Sequence, residues 1–92
     1  MRESAIERHL CRVVCDLGGE CLKFVSPGRR GVTDRVVMLP GGFVAFVELK
    51  RPGEKPRAEQ VRFHQRCFEL GATCLVFDTK EQINDWVRRI KR

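Results

Sequence analysis

The sequence has no tyrosine and a single tryptophan, so it offers no aromatic platform for stacking single-stranded bases. It has no long hydrophobic run. The longest charge-free apolar stretch, Val36 to Val47, is broken by Pro40-Gly41-Gly42. A bilayer takes roughly 20 apolar residues, so no membrane span is expected. Residues 1–25 mix Glu, Arg and His through the apolar positions, which does not read as a signal peptide. No C-x-x-C pair occurs among Cys11, Cys15, Cys21, Cys67 and Cys74. Their odd number and irregular spacing fit free thiols in a reducing cytoplasm better than a zinc site or a disulfide scaffold. Neither a Walker A loop nor a G-x-G-x-x-G is present, so no nucleotide cofactor is expected. Repeats, low-complexity segments and internal linkers are also missing.

What is present is one domain's worth of chain, residues 1–92, with 42% hydrophobic residues. That is enough for one core, but a core this small leaves stability marginal and invites a partner or self-association. The net charge is +6, and most of the basic side is arginine. Arginine suits bidentate phosphate contact.

Periodicity predicts seven elements. Ile6, Leu10, Val13, Val14 and Leu17 make one stripe of a helix over 2–17, stopped by Gly18-Gly19. Strands are predicted at 20–25, 34–39 and 43–50, the last two joined by the Pro-Gly-Gly turn. The third strand, mostly apolar, is predicted to be central. A helix over 57–70, a strand at 73–77 and a helix over 79–91 capped by Asp78 or Thr79 complete the chain. The order αβββαβα predicts an α/β fold: a mixed four-stranded sheet flanked by helices. On the second helix, Val61, Phe63, Cys67, Phe68 and Leu70 are predicted to face inward.

Function is expected where polar residues break this pattern. Glu48 and Lys50, two apart at the end of the most apolar strand, share one face. The simplest alternative is an ion pair at a solvated strand end. Asp34 falls roughly opposite Glu48 across the predicted hairpin, and two carboxylates that close repel unless a cation lies between them. The donors are oxygens, which suit Mg²⁺ or Mn²⁺ rather than zinc. Glu3 falls within the first helix's stripe and Glu7, one turn later, at its border, so either can look along the sheet; an ordinary helix-dipole acid would also stand there, which fits Glu3 better than Glu7. Gln60 and His64 sit mid-face on the second helix. His64 reads as a hydrogen-bonded core histidine rather than a catalytic one, and Gln60 leans towards a site role.

Together Asp34, Glu48, Lys50 and Glu7 make a plausible phosphodiester hydrolase site. A divalent metal there polarises a phosphoryl oxygen and acidifies water. The Leu49 carbonyl is a further candidate ligand, and Lys50 a group to orient water or stabilise developing charge. Lys23, Arg29, Arg30, Arg51, Lys55 and Arg57 flank this cluster in sequence and are the candidate phosphate contacts to DNA.

The string Ser26-Pro-Gly-Arg-Arg-Gly-Val-Thr-Asp34-Arg-Val-Val-Met-Leu-Pro-Gly-Gly42, then Phe46-Val-Glu-Leu-Lys50, then Gln60 and His64, resembles the VRR-NUC (virus-type replication–repair nuclease) family. That family belongs to the PD-(D/E)xK superfamily. The resemblance covers nearly the whole chain, as in a stand-alone phage-type member. It implies a restriction-endonuclease-like fold and metal-dependent cleavage of branched DNA, such as four-way (Holliday) junctions, by a homodimer. It implies Asp34 and Glu48 as metal ligands, Lys50 as catalytic lysine, Glu7 as helix carboxylate and Gln60 as a polar residue near the site. Thr33 stands where the family commonly has proline. The expected setting is the cytoplasm of a bacterium or phage-infected host. Two alternatives stand beside this reading: a non-catalytic module that binds branched DNA, and a hydrolase of RNA or small phosphoesters.

Overall fold

The description covers residues 4–26, 28 and 31–91 of a computed structural model. Seven elements follow in the predicted order: α1 (Ala5–Asp16), β1 (Glu20–Lys23), β2 (Arg35–Leu39), β3 (Phe43–Leu49), α2 (Ala58–Glu69), β4 (Thr73–Phe77) and α3 (Lys80–Ile90). Local chemistry sets their ends. Ser4 caps α1: its hydroxyl accepts the Glu7 N–H at 3.2 Å, and Glu7 Oε1 accepts the Ser4 N–H in return. The helix therefore starts later than the apolar stripe alone predicts. Gly18, at φ +84°, ends it in a conformation that favours glycine. Thr79 caps α3 by accepting the Gln82 N–H.

The sheet order is β1-β2-β3-β4. The first two pairings are antiparallel and the third is parallel, so the sheet is mixed and β3 is internal, as predicted. The β2–β3 hairpin pairs Arg35 with Val47 and Leu39 with Phe43. Continued by one residue, this register sets Asp34 opposite Glu48, and the Asp34 N–H does donate to the Val47 carbonyl at 3.1 Å.

Strand alternation sends the two faces to different environments. Val37, Ala45, Val47 and Phe77 point to one face, where Leu10 and Val14 of α1 and Ile83 and Trp86 of α3 close over them. Burying each large apolar side chain there contributes about 1.5–3 kcal/mol. The opposite face carries α2. Phe46 meets Phe63 edge-on at 5.7 Å and Phe24 at 5.5 Å. The inward face of α2 is narrower than its sequence predicts. Gln60 and Cys67 are buried and Phe63 and His64 half-buried, but Phe68 is 85%, Leu70 66% and Val61 43% exposed. A helix lying on a sheet buries only the stripe that meets it, and Val61, Phe68 and Leu70 fall outside that stripe.

Cys11 and Cys21 bring their sulfurs to 3.1 Å between α1 and β1. Cys15 is exposed, unlike the half-buried thiols. Burial, with Cys67 beside it, pushes the Cys74 thiol up to about 12, so it stays protonated at neutral pH and is a poor nucleophile. No helix among the described residues is long and apolar enough to cross a membrane.

Candidate active site

The site forms where β2 begins and β3 ends, beside the starts of α1 and α3. Asp34 is delivered by a loop pinned against α2. Gly31, at φ +84°, lies so close to α2 that a Cβ would come within 2.5 Å of the Glu59 carbonyl oxygen. Asp34 then accepts the Leu49 N–H through Oδ2 at 2.8 Å. Partial burial raises its pKa above the usual carboxylate value. The Leu49 N–H opposes the shift, while the nearby Glu48 and Glu7 carboxylates add to it.

Glu48 is fully buried near the end of the inner strand β3. A buried carboxylate needs partners. His64 Nε2 donates to Oε1 at 2.9 Å, and Lys50 Nζ lies 3.4 Å from Oε2. Lys50 and Glu48 thus share a face, as their spacing predicts. Oε2 nevertheless accepts no hydrogen bond from the described residues. A buried carboxylate oxygen short of hydrogen-bond donors fits a cation, and the Lys50 ammonium approaches it; among the described residues no group of three or more His, Cys, Asp or Glu side chains that could hold a metal ion is formed.

Glu7 joins the cluster but is committed on both oxygens. Oε1 lies 3.3 Å from the Ser4 amide nitrogen and hydroxyl, and Oε2 3.3 Å from the Arg35 guanidinium. Arg35, 5% exposed, is a buried cation that the sequence reading missed. Its signal was present: it alternates with Val37 and Leu39 on the core face, where a charge needs a partner. Gln60 is buried, and its Oε1 accepts the Arg57 N–H at 2.8 Å, so that oxygen fixes the start of α2.

A cleft of about 810 Å³ opens beside the cluster, with Glu7, Asp34, Leu49 and Lys50 in its wall; Glu48 and Gln60, both buried, are not among its lining residues. Its cationic lining includes Lys23, Lys50, Arg51 and Lys80. Lys80, from the first turn of α3, was not anticipated, because only folding brings residue 80 beside residue 50. Lys55 and Arg57 are exposed on the loop before α2 but are not among the cleft-lining residues. Arg29 and Arg30 lie outside the described residues, as does Glu3. The turn after Lys50 is anchored, since the Gly53 N–H donates to Asp78 and the Arg51 N–H to Glu54, both at 3.1 Å.

A mixed four-stranded sheet between helices, with carboxylates and a lysine gathered at the ends of its inner strands, places the chain in the restriction-endonuclease-like fold class. A solved structure titled "VRR_NUC domain" shares this fold with a TM-score of 0.86 and 31% identity, covering 90% of each chain. The chain is also 53% identical to "Putative nuclease p44" of Acyrthosiphon pisum secondary endosymbiont phage 1. That match runs over 81 residues, 88% of this chain and 87% of the relative. No family model matches. On the strength of these two relatives, the chain belongs to the VRR-NUC family.

Proposed function

We infer that the protein is a Mg²⁺- or Mn²⁺-dependent, structure-selective DNA endonuclease that resolves four-way junctions as a homodimer. The observation that carries this reading is the cleft in which Asp34 and Lys50 stand with Lys23, Arg51 and Lys80, with the buried Glu48 behind it 3.4 Å from the Lys50 ammonium. Membership of the VRR-NUC family and the name of the phage relative support a nuclease.

Asp34 and Glu48 would hold the metal, with the Leu49 carbonyl as a further oxygen donor; Glu7, expected from the sequence as another, is engaged by Ser4 and Arg35 and would act through a water. A bound divalent ion supplies Lewis-acid polarisation of the phosphoryl oxygen and a more acidic water. Lys50, drawn to Glu48, orients the attacking water or offsets charge that develops on the phosphorane. Lys23, Arg51 and Lys80 grip backbone phosphates across the cleft, and Lys55 and Arg57 extend that grip along the loop. Gln60 keeps the first turn of α2 beside the site. Glu7, paired with Arg35, ties α1 to it.

The homodimer reading is supported by the uncovered part of the α2-side face. There Leu22, Met38 and Val44 are each more than one-third exposed, and Met38 and Val44 are cross-strand partners. Two symmetry-related sites suit paired cuts across a symmetric junction.

The test is cleavage of a labelled four-way junction beside a matched linear duplex, in Mg²⁺, in Mn²⁺ and in EDTA. Lys50→Met is run alongside the wild type, with binding followed in Ca²⁺ and mass in solution by light scattering. The expected result is metal-dependent cutting of the junction, reduced about 10²–10³-fold in folded Lys50→Met while binding persists. Tight junction binding without cutting in either metal would leave only the non-catalytic binding module. Cutting of RNA in preference to junction DNA would favour the third reading.

A further inference from the structure

The two carboxylates of the site are held alike. Glu48 Oε1 is taken by His64 Nε2–H at 2.9 Å, and Asp34 Oδ2 by the Leu49 N–H at 2.8 Å. One donor is a side chain from α2 and the other a backbone group of β3. Each carboxylate therefore keeps one oxygen that carries no hydrogen bond from these donors. For Glu48 that oxygen is Oε2, buried and without a hydrogen bond among the described residues, with Lys50 Nζ 3.4 Å away.

This arrangement bears on which cation the site accepts. Ca²⁺ takes 6–8 oxygen ligands and readily uses both oxygens of one carboxylate. Mg²⁺ and similar small ions take six in a strict octahedron, with few carboxylates and several waters. An oxygen already engaged by an N–H donor is a poorer second arm for bidentate binding. We propose that His64 is a positioning residue: by occupying Oε1 it presents Glu48 through Oε2 alone and so biases the site towards small octahedral cations over Ca²⁺. The inference rests on the metal-dependent hydrolase reading. His64 is suited to the task because it follows Gln60 by one helical turn on the stripe of α2 that meets the sheet, and its imidazole is half-buried. The neutral ring needs its proton on Nε2 to donate to Oε1.

The experiment measures binding of Mn²⁺ by the whole protein, without DNA, from the loss of the free-ion paramagnetic resonance signal, with Ca²⁺ as competitor. Four proteins are compared: wild type, His64→Leu, His64→Gln and Asp34→Asn, each with its melting temperature. His64→Leu is expected to weaken Mn²⁺ binding about 10–100-fold and to shrink the preference for Mn²⁺ over Ca²⁺. His64→Gln, whose amide offers an N–H at similar reach, is expected to recover much of that preference. In cleavage assays His64→Leu should lower kcat and leave the KM for DNA unchanged. Folded His64→Leu with wild-type affinity for both ions would overturn the proposal. If His64→Leu does not fold, His64→Gln decides: folded with the preference kept supports the proposal, and folded with the preference lost overturns it. A wild type that binds no Mn²⁺, or binds equally well after Asp34→Asn, would overturn the metal-site reading itself, whatever His64 does.

Discussion

The two faces of the sheet differ in kind. The face under α1 and α3 closes with Leu10, Val14, Val37, Ala45, Val47, Phe77, Ile83 and Trp86. The face under α2 buries Glu48, Gln60 and parts of His64 and Lys50, and leaves Met38 and Val44 partly in water. The first face is built as an ordinary core. The second puts charge where the β3 alternation would accept an apolar residue, and charge buried in that way costs stability unless it is paired. One strand serves both purposes, because successive residues of β3 point to opposite sides.

The largest effect is expected on the apolar face. Ile83→Ala should destabilise the fold by about 2–5 kcal/mol, read as a drop in the urea midpoint. A loss under 1 kcal/mol would mean that α3 is not integral to the core. On the other face the sign should reverse. Replacing the whole charged set with apolar residues, Glu48→Met with Lys50→Met and His64→Leu, should leave stability unchanged or raise it by up to about 4 kcal/mol while abolishing cleavage. A strong loss of stability would show that the charged set supports the fold and that the contrast between the faces is false.

A smaller gain is expected at Thr33. It is buried, and its hydroxyl has no hydrogen-bond partner among the described residues. Thr33→Val removes that group at constant shape and should add about 1 kcal/mol. No change would mean that the hydroxyl is satisfied.

The smallest effect is expected at Asp34. Its folded pKa is raised, first by burial and then, against the Leu49 N–H, by Glu48 and Glu7. The folded state therefore holds this proton more tightly than the unfolded chain does. The associated stability is complete below the unfolded pKa and is lost as pH rises through the folded pKa. Asp34→Asn should thus melt slightly higher than metal-free wild type at neutral pH, with the gap closing towards pH 4. Added Mn²⁺ should raise the melting point of the wild type more than that of the variant. The same gap at every pH would separate the effect from ionisation.

Much of this was legible in the sequence. Apolar period and turn residues marked all seven elements, with the largest error at the start of α1, where Ser4 and Glu7 form a cap. The Pro-Gly-Gly hairpin set the register that brings Asp34 opposite Glu48, because a short turn leaves the pairing little freedom. Period two placed Lys50 beside Glu48. These inferences succeed because each depends on contacts close in the chain or on a fixed repeat.

Other features depended on residues far apart in the chain. Lys80 reaches the cleft only because β4 lies parallel to β3 and returns the chain to the same end of the sheet. The Arg35–Glu7 pair needs α1 packed across β2. The partner of His64 is set by how α2 lies on the sheet, and so is the exposure of Phe68, which the helical wheel had turned inward. The sequence by itself determined the elements, their order and the shared face of Asp34, Glu48 and Lys50, since period and turn chemistry act locally. Only the tertiary structure decided which oxygen of each carboxylate takes a hydrogen bond, from His64 on Glu48 and from the Leu49 N–H on Asp34, because that follows from how α2 lies on the sheet and from the register of two strands.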